Sequence, residues 1–151
     1  MISDFEKSTG SAPGSPGTLI LELQRATHAM LRLLAARLAQ ENLTGAEINA
    51  LANLADGAAC SVGDLAAATG TRPTTLTSVL DRLARRGYLT RELDPADRRS
   101  FLLNLTDDGI LAARAARTAM ATIEQQALGQ LPAADVAGFR NVVRALEKVA
   151  R

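Results

Sequence analysis

The sequence is poor in the residues that build disulfides, metal sites and catalytic centres. It has one cysteine, one histidine, one tyrosine and no tryptophan among 151 residues. A single cysteine excludes an intrachain disulfide and the paired-cysteine motifs of zinc and redox sites. GxSxG, HExxH, P-loop and GxGxxG motifs are all missing, and only a hydrolase that uses carboxylates alone stays open. We therefore predict a protein that is not an enzyme and that uses no metal or cofactor.

Long apolar runs are also missing. No stretch approaches the roughly 20 consecutive apolar residues that a membrane-spanning helix needs. Residues 1–18 lack the basic-then-apolar order of a secretion signal. We therefore expect a cytoplasmic protein without a membrane partner.

What the chain does contain is helix-forming apolar residues in a periodic pattern. Hydrophobic residues make up 47% of the sequence, and most of them are Ala and Leu, which favour helices. Residues 1–17 are rich in Ser, Gly and Pro, which predicts a disordered arm. After them, apolar residues recur every three or four positions and predict one long helix from residue 18 to about residue 41.

The central part of the chain has the start and stop signals of three short helices. Thr44 and Glu47 form a capping box, and Ser61 with Asp64 forms a second one. A turn at residues 69–71 is followed by Pro73, which is tolerated in the first turn of a helix. Two β-prone runs, 88–92 and 100–105, then flank a polar loop and predict a hairpin. Two further helices, 107–127 and 136–149, complete the order α-α-α-α-β-β-α-α, which is a mainly α fold with a small β-hairpin.

Charge is distributed unevenly along the chain. Residues 71–105 contain seven arginines against four acidic residues, a net charge of +3, whereas every charged residue between positions 41 and 70 is acidic. Clustered arginines favour an anionic partner. The same pattern also fits a solvated helix face with ion pairs such as Asp81 with Arg85. Charge alone does not choose between them.

The helix after the 69–71 turn and the hairpin together match the geometry of duplex DNA. A helix fits the major groove and its N-terminal residues reach the base edges. A narrow hairpin tip suits the minor groove, whose negative potential attracts arginine. Asp97, two residues before Arg99, is placed to hold that arginine in one rotamer.

These segments resemble the MarR family of bacterial regulators. The resemblance rests on residues 43–109: a helix-turn-helix pattern, a DPxDRR hairpin loop beginning at Asp94, and an LTxxG exit ending at Gly109. It implies a dimeric winged helix-turn-helix transcriptional regulator, most simply a repressor, on a near-palindromic duplex, with a small-molecule effector as a candidate for its release. By position, residues 43–106 form the DNA-binding region, and residues 18–42 and 107–151 form the helical dimerisation region.

The resemblance also implies which residues contact DNA. The recognition helix is 72–86, Arg99 is the wing arginine supported by Asp97, and Ser61 faces phosphate at a helix N-terminus. The expected DNA contacts are Ser61, Arg72, Pro73, Thr74, Thr75, Thr77, Ser78, Arg82, Arg98 and Arg99. Two positions depart from the family pattern. Arg72 replaces a small capping residue, which suggests Thr71 as the cap, and Ser78 replaces a basic residue.

Other interpretations of single residues stay open. Cys60 fits a small buried hydrophobe better than an oxidation sensor. His28 and Arg32 on the first helix fit either ordinary packing and solvation or an effector pocket. The main alternative function is a winged-helix module that binds another protein and has lost DNA binding. The joint presence of Arg72, Arg98 and Arg99 argues against that alternative.

Overall fold

The structure is a computed structural model that describes residues 18–57 and 60–150. The predicted disordered arm, 1–17, lies outside the described residues. The elements are α1 (Thr18–Arg37), a 3-10 turn (Ala39–Glu41), α2 (Gly45–Leu54), β1 (Cys60–Ser61), α3 (Val62–Thr69), α4 (Pro73–Arg85), β2 (Leu89–Leu93), β3 (Phe101–Leu105), α5 (Asp107–Leu128) and α6 (Ala133–Ala150). The mainly α fold with a β-hairpin is confirmed. Within the described residues, no helix combines the length and apolar character needed to cross a bilayer.

The hairpin belongs to a three-stranded antiparallel sheet in the order β1-β3-β2. Leu89 pairs with Leu105 at the base of the hairpin, and Leu93 pairs with Phe101 near its tip. The third strand, β1, pairs Cys60 with Leu103. The sequence pattern did not predict β1, because two residues are too short to show an alternating pattern.

Most helix boundaries follow the predicted caps. Both capping boxes are present, at Thr44 with Glu47 and at Ser61 with Asp64. Thr71 is not the cap of α4, however. Arg72 occupies that position with extended backbone and makes no side-chain cap hydrogen bond. Pro73 follows at the first helical position, where its fixed φ favours the helix start even without a polar cap.

The core lies where α2, α3, α4 and the sheet meet. Its largest fully buried side chains are Ile48, Leu51, Leu65, Leu76, Leu80, Leu83 and Leu103. They come from three helices and one strand, so the relative positions of α3 and α4 are fixed by shared packing.

The LTxxG segment joins the hairpin to α5 through a close backbone approach. The Thr106 N–H donates to the Tyr88 carbonyl at 3.1 Å, and the Thr106 hydroxyl donates to the Gly87 carbonyl at 2.6 Å. A Cβ atom on Gly109 would lie 1.8 Å from the same Tyr88 oxygen. Glycine is required here by space, since no side chain fits between α5 and this carbonyl.

Candidate nucleic-acid interface

The helix α4, which is the predicted recognition helix, has one buried face and one exposed face. Leu76, Val79, Leu80 and Leu83 are buried against the core. The residues between them on the helix surface are exposed, and they are Thr74, Thr75, Thr77 and Ser78. The whole polar set therefore points away from the protein, as a groove-reading helix requires.

Two of these hydroxyl groups already donate within the helix. The Thr77 hydroxyl donates to the Pro73 carbonyl at 2.9 Å, and the Ser78 hydroxyl donates to the Thr75 carbonyl at 2.8 Å. A hydroxyl has one proton and two lone pairs. In these rotamers Thr77 and Ser78 can accept hydrogen bonds but have no proton left for a phosphate. Base-edge amino groups, and for Thr77 a thymine methyl, are the partners that fit this arrangement.

The start of α4 adds Arg72 and Pro73, both exposed. The Arg72 carbonyl accepts from the Leu76 N–H at 3.0 Å, which closes the first turn of the helix. Arg72 makes no side-chain cap hydrogen bond and Pro73 has no N–H, so Thr74 and Thr75 carry the first-turn N–H groups that can meet an anion.

Ser61 serves as a helix cap. Its hydroxyl accepts from the Asp64 N–H at 3.1 Å and donates to the Asp64 carboxylate at 2.7 Å. Hydrogen bonds from the Ser61 hydroxyl and backbone lower the pKa of Asp64, so this carboxylate is ionised at neutral pH. A negative charge beside Ser61 opposes a phosphate, so the expected Ser61 contact has to overcome that repulsion.

The tip of the wing is held by its own backbone turn. The Asp94 N–H donates to the Ser100 carbonyl, and the Ser100 N–H donates to the Asp97 carbonyl. The Asp97 carboxylate accepts from the Arg99 main-chain N–H at 3.0 Å. The expected contact between Asp97 and the Arg99 guanidinium is therefore not the one observed. Asp97 shapes the loop, and the side chains of Arg98 and Arg99 are exposed at its tip.

An ion pair ties the hairpin, which is the predicted wing, to α4. The Arg91 guanidinium on β2 lies 2.6 Å from the Asp81 carboxylate on α4. The pairing of Asp81 with Arg85, which the alternative interpretation of the charge cluster offered, is not among the ion pairs of the described residues. The Arg85 Nε instead lies 3.4 Å from the Asp81 main-chain carbonyl. Both members of the observed pair are partly exposed, so its role is to orient the wing more than to stabilise the fold.

Arg82 contacts a buried carboxylate at the start of α2. Its Nε donates to Glu47 at 3.0 Å, and the side chains of Arg82 and Glu47 are 41% and 3% exposed. Burial acts to raise the pKa of Glu47, but hydrogen bonds from Thr44 and from Arg82 outweigh it and lower that pKa below its ordinary value. Glu47 thus connects the cap of α2 to α4, and Arg82 is committed in part to this internal contact.

Arg86 closes the end of α4 against the segment after α1. Its guanidinium donates to the main-chain carbonyls of Asn42 and Glu41 and lies 5.1 Å from the centre of the Tyr88 ring. These contacts hold the end of α4 beside the loop that enters α2.

Comparison of the sequence with known proteins identifies its family. The model of the MarR family matches residues 41–100. An HTH-type transcriptional regulator of Mycobacterium leprae, itself uncharacterized, is 32% identical over 105 residues, which cover 70% of this chain and 73% of that protein. The chain belongs to the MarR family. The family that the sequence resemblance implied is confirmed, and the protein is a MarR-family transcriptional regulator.

Two solved structures extend the MarR-family likeness over most of the chain. The PcaV regulator of Streptomyces coelicolor is 30% identical, with a TM-score of 0.73 and coverage of 90% of this chain and 94% of PcaV. BpsR of Bordetella bronchiseptica is 28% identical, with a TM-score of 0.72 and coverage of 89% of this chain and 96% of BpsR.

Three of the residues singled out in the sequence lie away from α4 and the wing tip of this MarR-family protein. His28 and Arg32 are exposed on α1 of the protomer, so a pocket that uses them needs a second surface to cover it. Cys60 is half-buried in β1, and its thiol donates to the Ser61 carbonyl at 3.3 Å. Burial and the charge of Asp64 raise the pKa of the Cys60 thiol, which disfavours the reactive thiolate.

Sequence reasoning also missed contacts that position this MarR-family site. Glu47 with Arg82 and Asp81 with Arg91 join residues 35 and 10 positions apart. The sequence singled out Glu47 only as a member of a capping box, and Asp81 only as a possible partner of Arg85 on the same helix face. A buried acidic residue with an arginine on a neighbouring element is visible only once the elements are packed.

Proposed function

We propose that this MarR-family regulator binds a near-palindromic DNA duplex as a homodimer, represses transcription there, and is released by a small-molecule effector. Relatives support the proposal through their own properties. PcaV was solved in complex with its natural ligand. The DNA binding of BpsR is regulated by 6-hydroxynicotinic acid.

The observation that carries the proposal is the shared orientation of α4 and the wing. Thr74, Thr77 and Ser78 are exposed on α4, and the wing is tied to that helix by the 2.6 Å contact between Arg91 and Asp81. In the proposed complex the exposed side of α4 lies in the major groove and the wing arginines lie in the adjacent minor groove.

The terminal helices support a homodimer. Among the described side chains of α6 none is buried, and Phe139 and Val142 are 52% and 43% exposed. On α1, Leu19 is 63% exposed. An amphipathic helix gains most of its stability by burying its apolar face. A second copy of the chain would cover these faces and bring the two recognition helices into one assembly.

A twofold dimer sets the spacing of the DNA site. Each recognition helix would enter a major groove on the same side of the duplex, so the half-sites would lie about one helical turn, roughly 10 bp, apart. An effector that binds better to a dimer with a different helix spacing would release the DNA by shifting the population of dimers.

The first experiment measures binding to duplex DNA over a range of salt. The duplex comes from an inverted repeat upstream of the chain's own gene, with random duplex as the comparison. We expect tighter binding to the repeat, with affinity that falls steeply as salt rises because counterions are released from phosphates. No binding to either duplex at low salt would refute the proposal and favour the protein-binding alternative.

Matched variants separate base reading from phosphate binding. Arg99→Ala should weaken binding to both duplexes alike, whereas Thr77→Ala should reduce the preference for the repeat. Arg114→Ala removes the same charge from an exposed position on α5 and is the control. If Arg99→Ala and Arg114→Ala bind equally well, the wing does not contact DNA as proposed.

Repression and release are tested with a reporter gene placed behind the repeat. We expect expression to rise when the regulator is deleted and to fall when it is restored. A fall on deletion would identify an activator. For release, 6-hydroxynicotinic acid, the compound that acts on BpsR, is the first probe for a loss of DNA binding.

A further inference from the structure

The exposed face of α4 continues past the residues assigned to base reading. Thr74, Ser78 and Arg85 lie on one stripe, because successive helical residues are about 100° apart and these positions fall within about 40° of one another. All three side chains are exposed. Arg85 therefore lies on the side of α4 that faces the duplex in the proposed complex.

The length of α4 determines what Arg85 meets there. Arg85 lies eleven positions after Thr74, a rise of about 16 Å along the helix. The major groove is only about 12 Å wide. When the N-terminal residues of α4 lie at the base edges, the end that carries Arg85 has to leave the groove over a phosphate strand.

A positively charged cleft lies beside Arg85. It has a volume of about 380 Å³ and is lined by Asn42, Thr44, Glu47, Arg82, Arg85 and Arg86. Three arginines and one glutamate line it, which gives the cleft a net charge of +2. The last turn of a helix is the negative end of its dipole and repels anions. The arginines reverse that polarity at the end of α4.

The three arginines differ in how firmly they are held. Arg82 is bonded to Glu47, and Arg86 is bonded to two main-chain carbonyls and lies against Tyr88. Within the described part of the chain, Arg85 makes only a long 3.4 Å contact from Nε to a carbonyl of its own helix. Its guanidinium can therefore turn toward a ligand, while its neighbours hold the cleft in shape.

We propose that this cleft binds a backbone phosphate of the DNA, with Arg85 as the contacting residue. The inference rests on the proposed function and adds to it a second anchoring point for α4, about three helical turns from Thr74 and about two from Ser78. A guanidinium suits this role because it presents several N–H donors in a planar array that matches phosphate oxygens.

The test pairs variants at Arg85 with neutral phosphates in the duplex. Methylphosphonate is placed at one backbone position at a time, and the affinity of the full-length protein is measured for each duplex. Removal of the contacted phosphate should weaken wild-type binding roughly tenfold, the usual effect of losing a charged hydrogen bond. The same neutral phosphate should have no further effect on Arg85→Gln.

Arg85→Gln should also reduce the slope of log K against log salt concentration by about 0.9 for each protomer that makes the contact. Arg85→Lys should keep the wild-type slope because it keeps the charge. Arg114→Gln, which removes a charge from α5, is the control. The side chain of Arg85 is exposed, so the thermal unfolding midpoint of each variant should equal that of the wild type.

The outcomes separate this inference from the proposed function. If the wild type binds no duplex, the proposed function fails. If it binds and Arg85→Gln behaves like Arg114→Gln, the cleft assignment alone is wrong. Inorganic phosphate is the probe for a free anion as ligand. Should phosphate stabilise the wild type and not Arg85→Gln, while both respond to every methylphosphonate alike, the cleft binds a free anion and the DNA assignment is overturned.

Discussion

Replacing Gly109 with alanine should destabilise the fold although it adds only one methyl group. The new Cβ would lie 1.8 Å from the Tyr88 carbonyl oxygen and 2.9 Å from the carbonyl carbon. Both are backbone atoms, so neither can rotate away as a flexible side chain would. The start of α5 therefore has to move relative to the hairpin base before the contact becomes an ordinary one.

The cost follows from the bonds that this movement stretches. Overpacking costs about 1–3 kcal/mol. The bond from Thr106 N–H to Tyr88 and the cap from Gly109 N–H to the Thr106 hydroxyl contribute about 1 kcal/mol each. Alanine regains about 1 kcal/mol through its higher helix propensity. We expect a net loss of roughly 3 kcal/mol, which lowers the unfolding midpoint by roughly 6–12 °C.

The assays are urea unfolding, for the free energy, and thermal unfolding, for the midpoint, both followed by circular dichroism at a fixed protomer concentration because association would shift either midpoint. Gly63→Ala is the matched control. Its Cβ would meet only the Ser61 hydroxyl oxygen, at 3.7 Å. This control should be neutral or more stable by roughly 0.5 kcal/mol. A Gly109→Ala protein as stable as Gly63→Ala would refute the steric reasoning.

Three further predictions concern charge, association and thiol chemistry. The lowered pKa of Glu47 contributes stability above the unfolded-state pKa of about 4.3, and this stability is lost as pH falls through the folded-state pKa. The drop in urea midpoint between pH 7 and pH 3.5 should therefore be smaller in Glu47→Gln than in the wild type, and an equal drop would contradict this. Phe139→Glu should convert the proposed dimer to monomer in sedimentation, whereas Asn141→Glu, at another exposed position of α6, should not; a dimeric Phe139→Glu would exclude this face from the interface. The raised pKa of Cys60 predicts alkylation by iodoacetamide at pH 7 more slowly than a free cysteine, with DNA binding unchanged by peroxide, and rapid alkylation would revive the sensor interpretation.

Local signals in the sequence were sufficient for most of the fold. Thr44 with Glu47, Ser61 with Asp64, and Pro73 mark helix starts through contacts within three residues, so the sequence carries them directly. The apolar spacing of Leu76, Leu80 and Leu83 identified the buried face of α4. That spacing also left the threonines outside, which is why the candidate base-reading face is predictable from the amino-acid order.

What the sequence could not supply depends on distances between elements. The two-residue strand β1 is defined only by its pairing with β3, and Asp97 contacts a main-chain N–H where a side-chain partner was expected. Asp81 could pair with Arg85 on its own helix or with Arg91 on the wing. The folded position of the wing brings Arg91 to Asp81, so that pair forms. Among the described residues, that choice leaves Arg85 without a carboxylate partner beside a cationic cleft.

By itself, the sequence determined the helices, both capping boxes, the hairpin and the family, because those features follow from short-range propensity and from motif residues adjacent in the chain. Only the tertiary structure decided why position 109 has to be a glycine, which carboxylate holds Arg82, and which arginine at the end of α4 is free to contact a ligand. Each of these depends on atoms within a few ångströms that belong to residues far apart in sequence, and packing alone brings them together.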